Sequence, residues 1–476
     1  MEARQLGFVR KLLYSCGNAG YSTLEMLIVT YLAYYTLPPS ESHLPQLIPE
    51  TLFGLLPMLG VVMLFGRVLD AITDPIVAKW SDSSKFKRGR RIPFMFFAVL
   101  PFVFSAVFLF QPIFHTKTAW NSLYLIVMLS VYFTAYTFYV VPYSGLLPEI
   151  TRTNSERLNL TMMQGVFGVV GIALGLIVFP RIATPASYKS VIMLFGVVSG
   201  IFLLMPVIAI DERKHCVSKA ASFSFHDAMR AAIDNKPFMI YLLAYLCFRL
   251  GFNMVVMSVP YYVKVLLREE QGAQASYFGI AFLTCLAGFF AANRIGKQHG
   301  KKGTLLWAMI FAALFMPGLA FLGRINLPLK ANMDIIYTGL GNADIYALFI
   351  MGMLGIPMAA LYVIPNAVVA DLTDLENRHS GQHLEAVYYG VQGFFTKLVI
   401  GLSFLIVTAL FALFGRGGDT GSDLGIRLTG PCAAASILVG YLFMRRYPEE
   451  VVLREKEVEI KKRGILPWLR RLINRQ

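Results

Sequence analysis

Along this chain apolar residues gather into long runs, and polar ones fill the short gaps between them. About 20 residues is the length at which an apolar helix crosses a bilayer. Runs of that order predict spans near 9–36, 51–79, 93–114, 120–148, 159–180, 190–210, 238–263, 275–293, 304–323, 344–370, 384–414 and 428–444. Pro75 and Pro142 fall inside the second and fourth, and membrane helices tolerate proline where neighbours satisfy the backbone. The first run follows basic residues but precedes no small-residue cleavage site, so it reads as an uncleaved span.

Composition agrees with this pattern. Of 476 residues, 56% are hydrophobic and 15% charged, against about a quarter charged in soluble domains. The fold class expected is therefore all-α: a polytopic membrane protein of 12 transmembrane helices. Five cysteines form no CxxC pair, so neither disulfide nor metal site is expected of them. All seven histidines fall in loops or at predicted helix ends. An intramembrane enzyme would need a His, Cys or Ser constellation at the membrane face, so no catalysis is expected.

The net charge of +15 reads as topology. If both termini share one side, that side receives 31 lysines and arginines, the other nine. Positive residues mark the cytoplasmic side, which predicts cytoplasmic termini and a cell (inner or plasma) membrane location. A nucleic-acid partner would need basic residues interleaved with aromatics on a soluble face, and the sequence offers none.

The chain repeats itself. YVVPYSGLLPEIT (139–151) ends the fourth span and YVIPNAVVADLT (362–373) the tenth, six spans later. The basic loop KFKRGRR (85–91) has a counterpart in GKQHGKKG (296–303). Two six-helix bundles, 1–210 and 238–446, joined by a cytoplasmic linker 211–237 and followed by a basic tail 447–476, resemble the parallel repeats of the major facilitator fold.

Three basic residues remain inside spans, Arg67, Arg249 and Lys397, and three acids, Glu25, Asp70 and Asp74. Each costs roughly 2.5–3.5 kcal/mol at a helix centre, so such groups persist where they pair or line a wet cavity. Arg67, Asp70 and Asp74, at i, i+3 and i+7, share one helical face near mid-depth. Two carboxylates one turn apart favour a small cation such as Na⁺ between them, or a proton on one. The alternative is an internal Arg67–Asp70 salt bridge, with Asp74 as a helix-end group. Lys397, at similar depth in the eleventh span, is the expected counter-ion, and cation binding would release it to bias the two halves. Arg249 would bind a substrate carboxylate or phosphate, pair with Glu25, or snorkel to the headgroups. Glu25 would contact substrate or carry a proton.

GRVLDAITDPIVAKWSD followed by GRRIPF, then VPYSGLLPEIT with an SER loop, and an aromatic-rich eleventh span bearing a lysine together resemble the glycoside–pentoside–hexuronide:cation symporter family. The resemblance covers nearly the whole chain. It implies cation-coupled symport of a sugar, glycoside or related small solute by alternating access, with Asp70, Asp74 and Thr137 as cation ligands. It also implies a substrate site around Glu25, Tyr21, Gln164, Arg249, Tyr139 and Ser144. Departures are visible: Val140 and Ser144 flank Pro142 where melibiose permease-like members carry aspartate and tryptophan. Gln164 replaces an arginine, and Ser22 an aspartate. The tenth and eleventh spans are similar to a branch containing the sodium-dependent lysophosphatidylcholine symporter, so an amphipathic lipid is the alternative substrate.

Asp82, Arg90 and Arg91, with Glu149 and Asp371, read as a cytoplasmic latch. The tail's basic, Trp-bearing end would lie on the inner leaflet. No cofactor beyond the coupling cation is expected, and no partners beyond substrate, cation and bilayer. A monomer is expected.

Overall fold

The computed structural model describes residues 6–450 except 43, 85, 87–88, 185–186, 217–224, 326–343, 381–384 and 418–421. The tail after 450 and most of the basic loop at 85–88 lie outside the described residues. Within a bilayer every backbone N–H and C=O must be satisfied internally, and helices are the open-ended solution. The described chain accordingly folds as helices, with one two-stranded hairpin.

The first three helices run Phe8–Thr36, Met58–Ser83 and Ile92–Phe108. The second starts seven residues later than its apolar run predicts. Residues 51–57 instead form the hairpin, with Thr51–Leu52 antiparallel to Leu56–Pro57. Its turn needs positive φ at Phe53 and Gly54, a backbone no helix can continue. The fourth helix, Ala119–Ile150, passes through Pro142 and Pro148 unbroken. The fifth, Asn154–Ala173, continues through a π-turn over Leu174–Val178 into Phe179–Ile182. The sixth is Tyr188–Ala209 and the seventh Lys236–Tyr261, again with a π-turn at its end.

The eighth and ninth spans are one long run, Gln274–Phe315, broken at Gly300. Gly300 has φ of 72°, a left-handed conformation that costs glycine little and other residues more. The tenth, eleventh and twelfth helices are Ile345–Ser380, Glu385–Phe414 and Leu424–Arg445. Nine described helices are long and apolar enough to cross a membrane. The first three complete a set consistent with twelve.

Local sequence sets several helix starts. Thr118, Thr153 and Asn235 accept backbone N–H bonds from Asn121, Glu156 and Phe238. Glu156 in turn accepts the N–H of Arg152, just before the cap, at 3.1 Å.

Within the first half, the first helix packs on the fifth and sixth, and the fourth on the second and third. Tyr14 and Tyr143 lock the first and fourth together, each hydroxyl donating to the other's carbonyl, at 2.6 and 2.8 Å. The second helix also packs along the eleventh, in the other half of the chain. At Gly60 the backbones come so close that an added Cβ would sit 2.6 Å from the Cα of Leu405.

Candidate functional site

The second helix carries its charged face into this seam. Asp70 is 0% exposed. Its Oδ1 accepts from Lys397 Nζ at 2.8 Å and lies 2.9 Å from Thr137 Oγ1. Lys397 Nζ also reaches Asp74, at 2.8 Å from Oδ1 and 2.7 Å from Oδ2. Thr137, from the fourth helix, is 3.1 Å from Asp74 Oδ1, so its one proton serves either carboxylate. Lys397 thus sits in a cradle of carboxylate and hydroxyl oxygens drawn from two helices of the other half. Asp74 is 30% exposed, and its side is where the cradle opens.

On the far side of Asp70, Arg67 is 2% exposed and bridges two acids. Its Nη1 is 3.5 Å from Asp70 Oδ2 and its Nη2 3.2 Å from Glu25 Oε1. The guanidinium also stacks over Phe133 at 4.7 Å, and the Lys397 ammonium lies 5.5 Å from the Tyr136 ring. Both are cation–π contacts. A simple internal salt bridge therefore describes only part of the arrangement, since Arg67 is shared with Glu25 and Asp74 is held by Lys397.

The expected substrate residues are dispersed. Tyr21 lies edge-on to Tyr136 and Tyr143 at 6.2 and 6.3 Å. Gln164 is buried beside the hydroxyls of Tyr14 and Tyr143. Ser144 is exposed. Tyr139 departs from the expectation: it is 0% exposed, and its hydroxyl donates to the Leu203 carbonyl at 2.8 Å. A tyrosine this deep needs a partner for its hydroxyl, and the sixth helix supplies one, so it packs the first half instead of facing solute. Arg249 makes no ion pair with Glu25 among the described residues, and its Nε is buried without a partner.

Both halves build a charge cluster at the end bearing the basic loops. Arg91 holds Asp82 at 2.6 Å, and Arg90 and Arg91 reach Glu149 at 2.8 and 3.3 Å. Asp371 does not join them. It pairs with Lys301 at 2.5 Å, because the repeated loop supplies its own base. Sequence reading missed Glu212, which accepts the backbone N–H groups of Arg90, Arg91 and Ile92 at the start of the third helix. It also missed Glu449, which does the same for Lys301 and Lys302 at 2.7 and 3.1 Å. Each acid follows the last helix of its half, a matched position that an explicit repeat comparison would have flagged.

Between described residues, polar contacts joining the two halves lie at mid-depth and at the opposite end. There Tyr261 donates to the Leu37 carbonyl at 2.9 Å, and Arg181 to Ser276 at 3.1 Å. Arg416 binds the Pro38 carbonyl, Gln46 and Glu50 at 3.3, 3.1 and 2.9 Å. A separate apolar cavity of 560 Å³ opens between the third and fourth helices, lined by none of these charged residues.

Known proteins share this architecture. The chain is 23% identical to the uncharacterized symporter sll1374 of Synechocystis sp., over 86% of each chain. It is 25% identical to sodium-dependent lysophosphatidylcholine symporter 1 of Gallus gallus, over 97% of this chain and 90% of the relative. The fold superposes on the nucleoside transporter NupG with a TM-score of 0.63 at 11% identity, covering 92% and 98% of the two chains. The model of the family described as MFS/sugar transport protein matches residues 13–448. The chain thus belongs to that family of the major facilitator superfamily, and is a multi-pass membrane transporter of the symporter type.

Proposed function

We propose that the protein couples a monovalent cation, Na⁺ or H⁺, to movement of an organic solute by alternating access, and that it carries out no catalysis. The observation that carries this reading is the seat of Lys397 between Asp70, Asp74 and Thr137. Hard oxygen donors around one positive charge suit Na⁺ as well as an ammonium. Cation and lysine then compete for the same oxygens. When the cation wins, the tie between the second and eleventh helices breaks and the halves are free to rock. The basic end is cytoplasmic in this reading, in the cell membrane, and the arrangement described is closed on the outer side by Tyr261 and Arg416. The halves are the bundles 1–210 and 238–446, working as a monomer.

A sugar, glycoside or similar small solute is the first substrate class, supported by the family's sugar-transport description. An amphipathic lipid is the second, supported by likeness to the lysophosphatidylcholine symporter over 97% of the chain. A ligand that binds only the native state must stabilise it by mass action. Melting of purified protein in Na⁺, Li⁺ or at varied pH, alongside Asp74→Asn, tests the cation reading. A metal-ion or pH shift in wild type that disappears in the variant is expected; no shift of either kind in wild type would sink the reading.

A further inference from the structure

The charges inside the bundle do not balance where they stand. Glu25, Asp70 and Asp74 are three carboxylates, and only Arg67 and Lys397 lie within ion-pair distance of them. That cluster carries one negative charge too many. The missing positive charge is Arg249, thirteen residues into the seventh helix and so about 20 Å from its start, in the opposite half from the acids. Among the described residues no carboxylate is in contact with it. Its electrostatic neighbours include Tyr245, Tyr362 and Glu25.

The Nε of Arg249 and the Nδ2 of Asn253, one turn along the same face, are both buried hydrogen-bond donors without a partner. Tyr362, an electrostatic neighbour of Arg249 from the tenth helix, is 40% exposed. Unmade donors of this kind are costly until something accepts from them. A guanidinium and an amide N–H one turn apart, with a phenol as neighbour, fit a carboxylate or a phosphate oxygen pair.

We infer that the solute carries an anionic group and that Arg249, with Asn253 and Tyr362, binds it. This deepens the symporter reading and rests on it. The charge account then explains obligatory coupling. In the empty carrier, the surplus negative charge in one half attracts Arg249 in the other, which favours closing. With a cation alone, the charged groups inside the bundle, the released Lys397 among them, sum to one positive charge, and Arg249 is left uncompensated. Closing around it in a low dielectric is penalised, which blocks ion leak. With cation and anion both bound, that sum returns to zero and closing is again permitted.

The test uses full-length protein in nanodiscs and two matched probe pairs in Na⁺ medium: methyl β-D-glucuronide against methyl β-D-glucoside, and lysophosphatidic acid against the monoacylglycerol of equal chain length. Inorganic phosphate serves as a minimal anion. The anionic member of one pair should raise the melting temperature of wild type and its neutral partner should not; whichever pair responds identifies the source of the anionic group. Arg249→Gln should weaken that anion's apparent affinity roughly ten- to a hundredfold, as loss of a charge-assisted bond predicts. It should keep the Na⁺ shift, which doubles as the folding control. Arg249→Lys should retain part of the affinity. Equal protection by the neutral partner, equal affinity in Arg249→Gln, or no protection of wild type by any anion would overturn the inference. Loss of the Na⁺ and pH shifts in wild type itself would instead overturn the symporter reading.

Discussion

Lys397 and Asp74, 323 positions apart, meet at 2.7 Å across the seam between the two halves of the chain. The same ammonium reaches Asp70 at 2.8 Å, so one side chain ties the eleventh helix to both acids of the second.

Replacing Lys397 with methionine should leave the shape and remove the charge. Breaking a largely buried pair by deleting one partner costs about 3 kcal/mol. The variant should melt lower than wild type in choline medium and recover most of the loss in Na⁺, because the ion takes the vacated place. Paired melting curves in the two salts measure this. A variant equally unstable in both would show that Lys397 is structural only.

Glu212 and Glu449 each cap a helix within their own half. Glu212→Ala exposes three backbone donors at the start of the third helix, and loss of a cap costs about 1–2 kcal/mol. Both Glu212→Ala and Glu449→Ala should lower the melting temperature while leaving any cation-induced shift unchanged. An altered cation shift in either would contradict a purely capping role.

Arg416 holds together the end opposite the basic loops through Pro38, Gln46 and Glu50. Arg416→Ala removes charge-assisted bonds worth about 1.5–3 kcal/mol each where they are made. Spin labels on the exposed positions His115 and Leu424, one in each half, should report a new longer-distance population in the variant. An unchanged distance distribution would assign closure to the apolar packing alone.

Asp423, at the mouth of the twelfth helix, is held below the usual aspartate range by its hydrogen bond from Arg427. Two guanidinium nitrogens contact its Oδ2, at 2.9 and 2.7 Å. A depressed carboxylate pKa contributes stability that is complete above the unfolded value, about 3.9. That contribution disappears as pH falls through the folded value. Asp423→Asn should therefore be less stable than wild type at pH 7 and converge on it as pH falls through the folded value. A constant offset down to pH 2 would rule the linkage out.

The hydrophobic pattern by itself determined the spanning helices to within a few residues, because a bilayer demands apolar length and internally paired backbone. It failed at 51–57, where an apolar stretch turns back as a hairpin, since hydropathy is blind to backbone angles. Local spacing also put Arg67, Asp70 and Asp74 on one face, as the helix period requires. Charge and depth also marked Lys397 as their counter-ion, and the family resemblance marked Thr137, but the contacts themselves were decided by tertiary structure. Lys397 comes from another half of the chain, Glu25 from another helix, and Thr137 from a third, and no sequence interval encodes those meetings. Asp371 and Tyr139 show the same limit. Their types suited the latch and the substrate site, but packing gave one to Lys301 and the other to the Leu203 carbonyl. Charge and periodicity are properties of a segment. Pairing across a seam depends on how two bundles are set against each other, and only the folded molecule contains that.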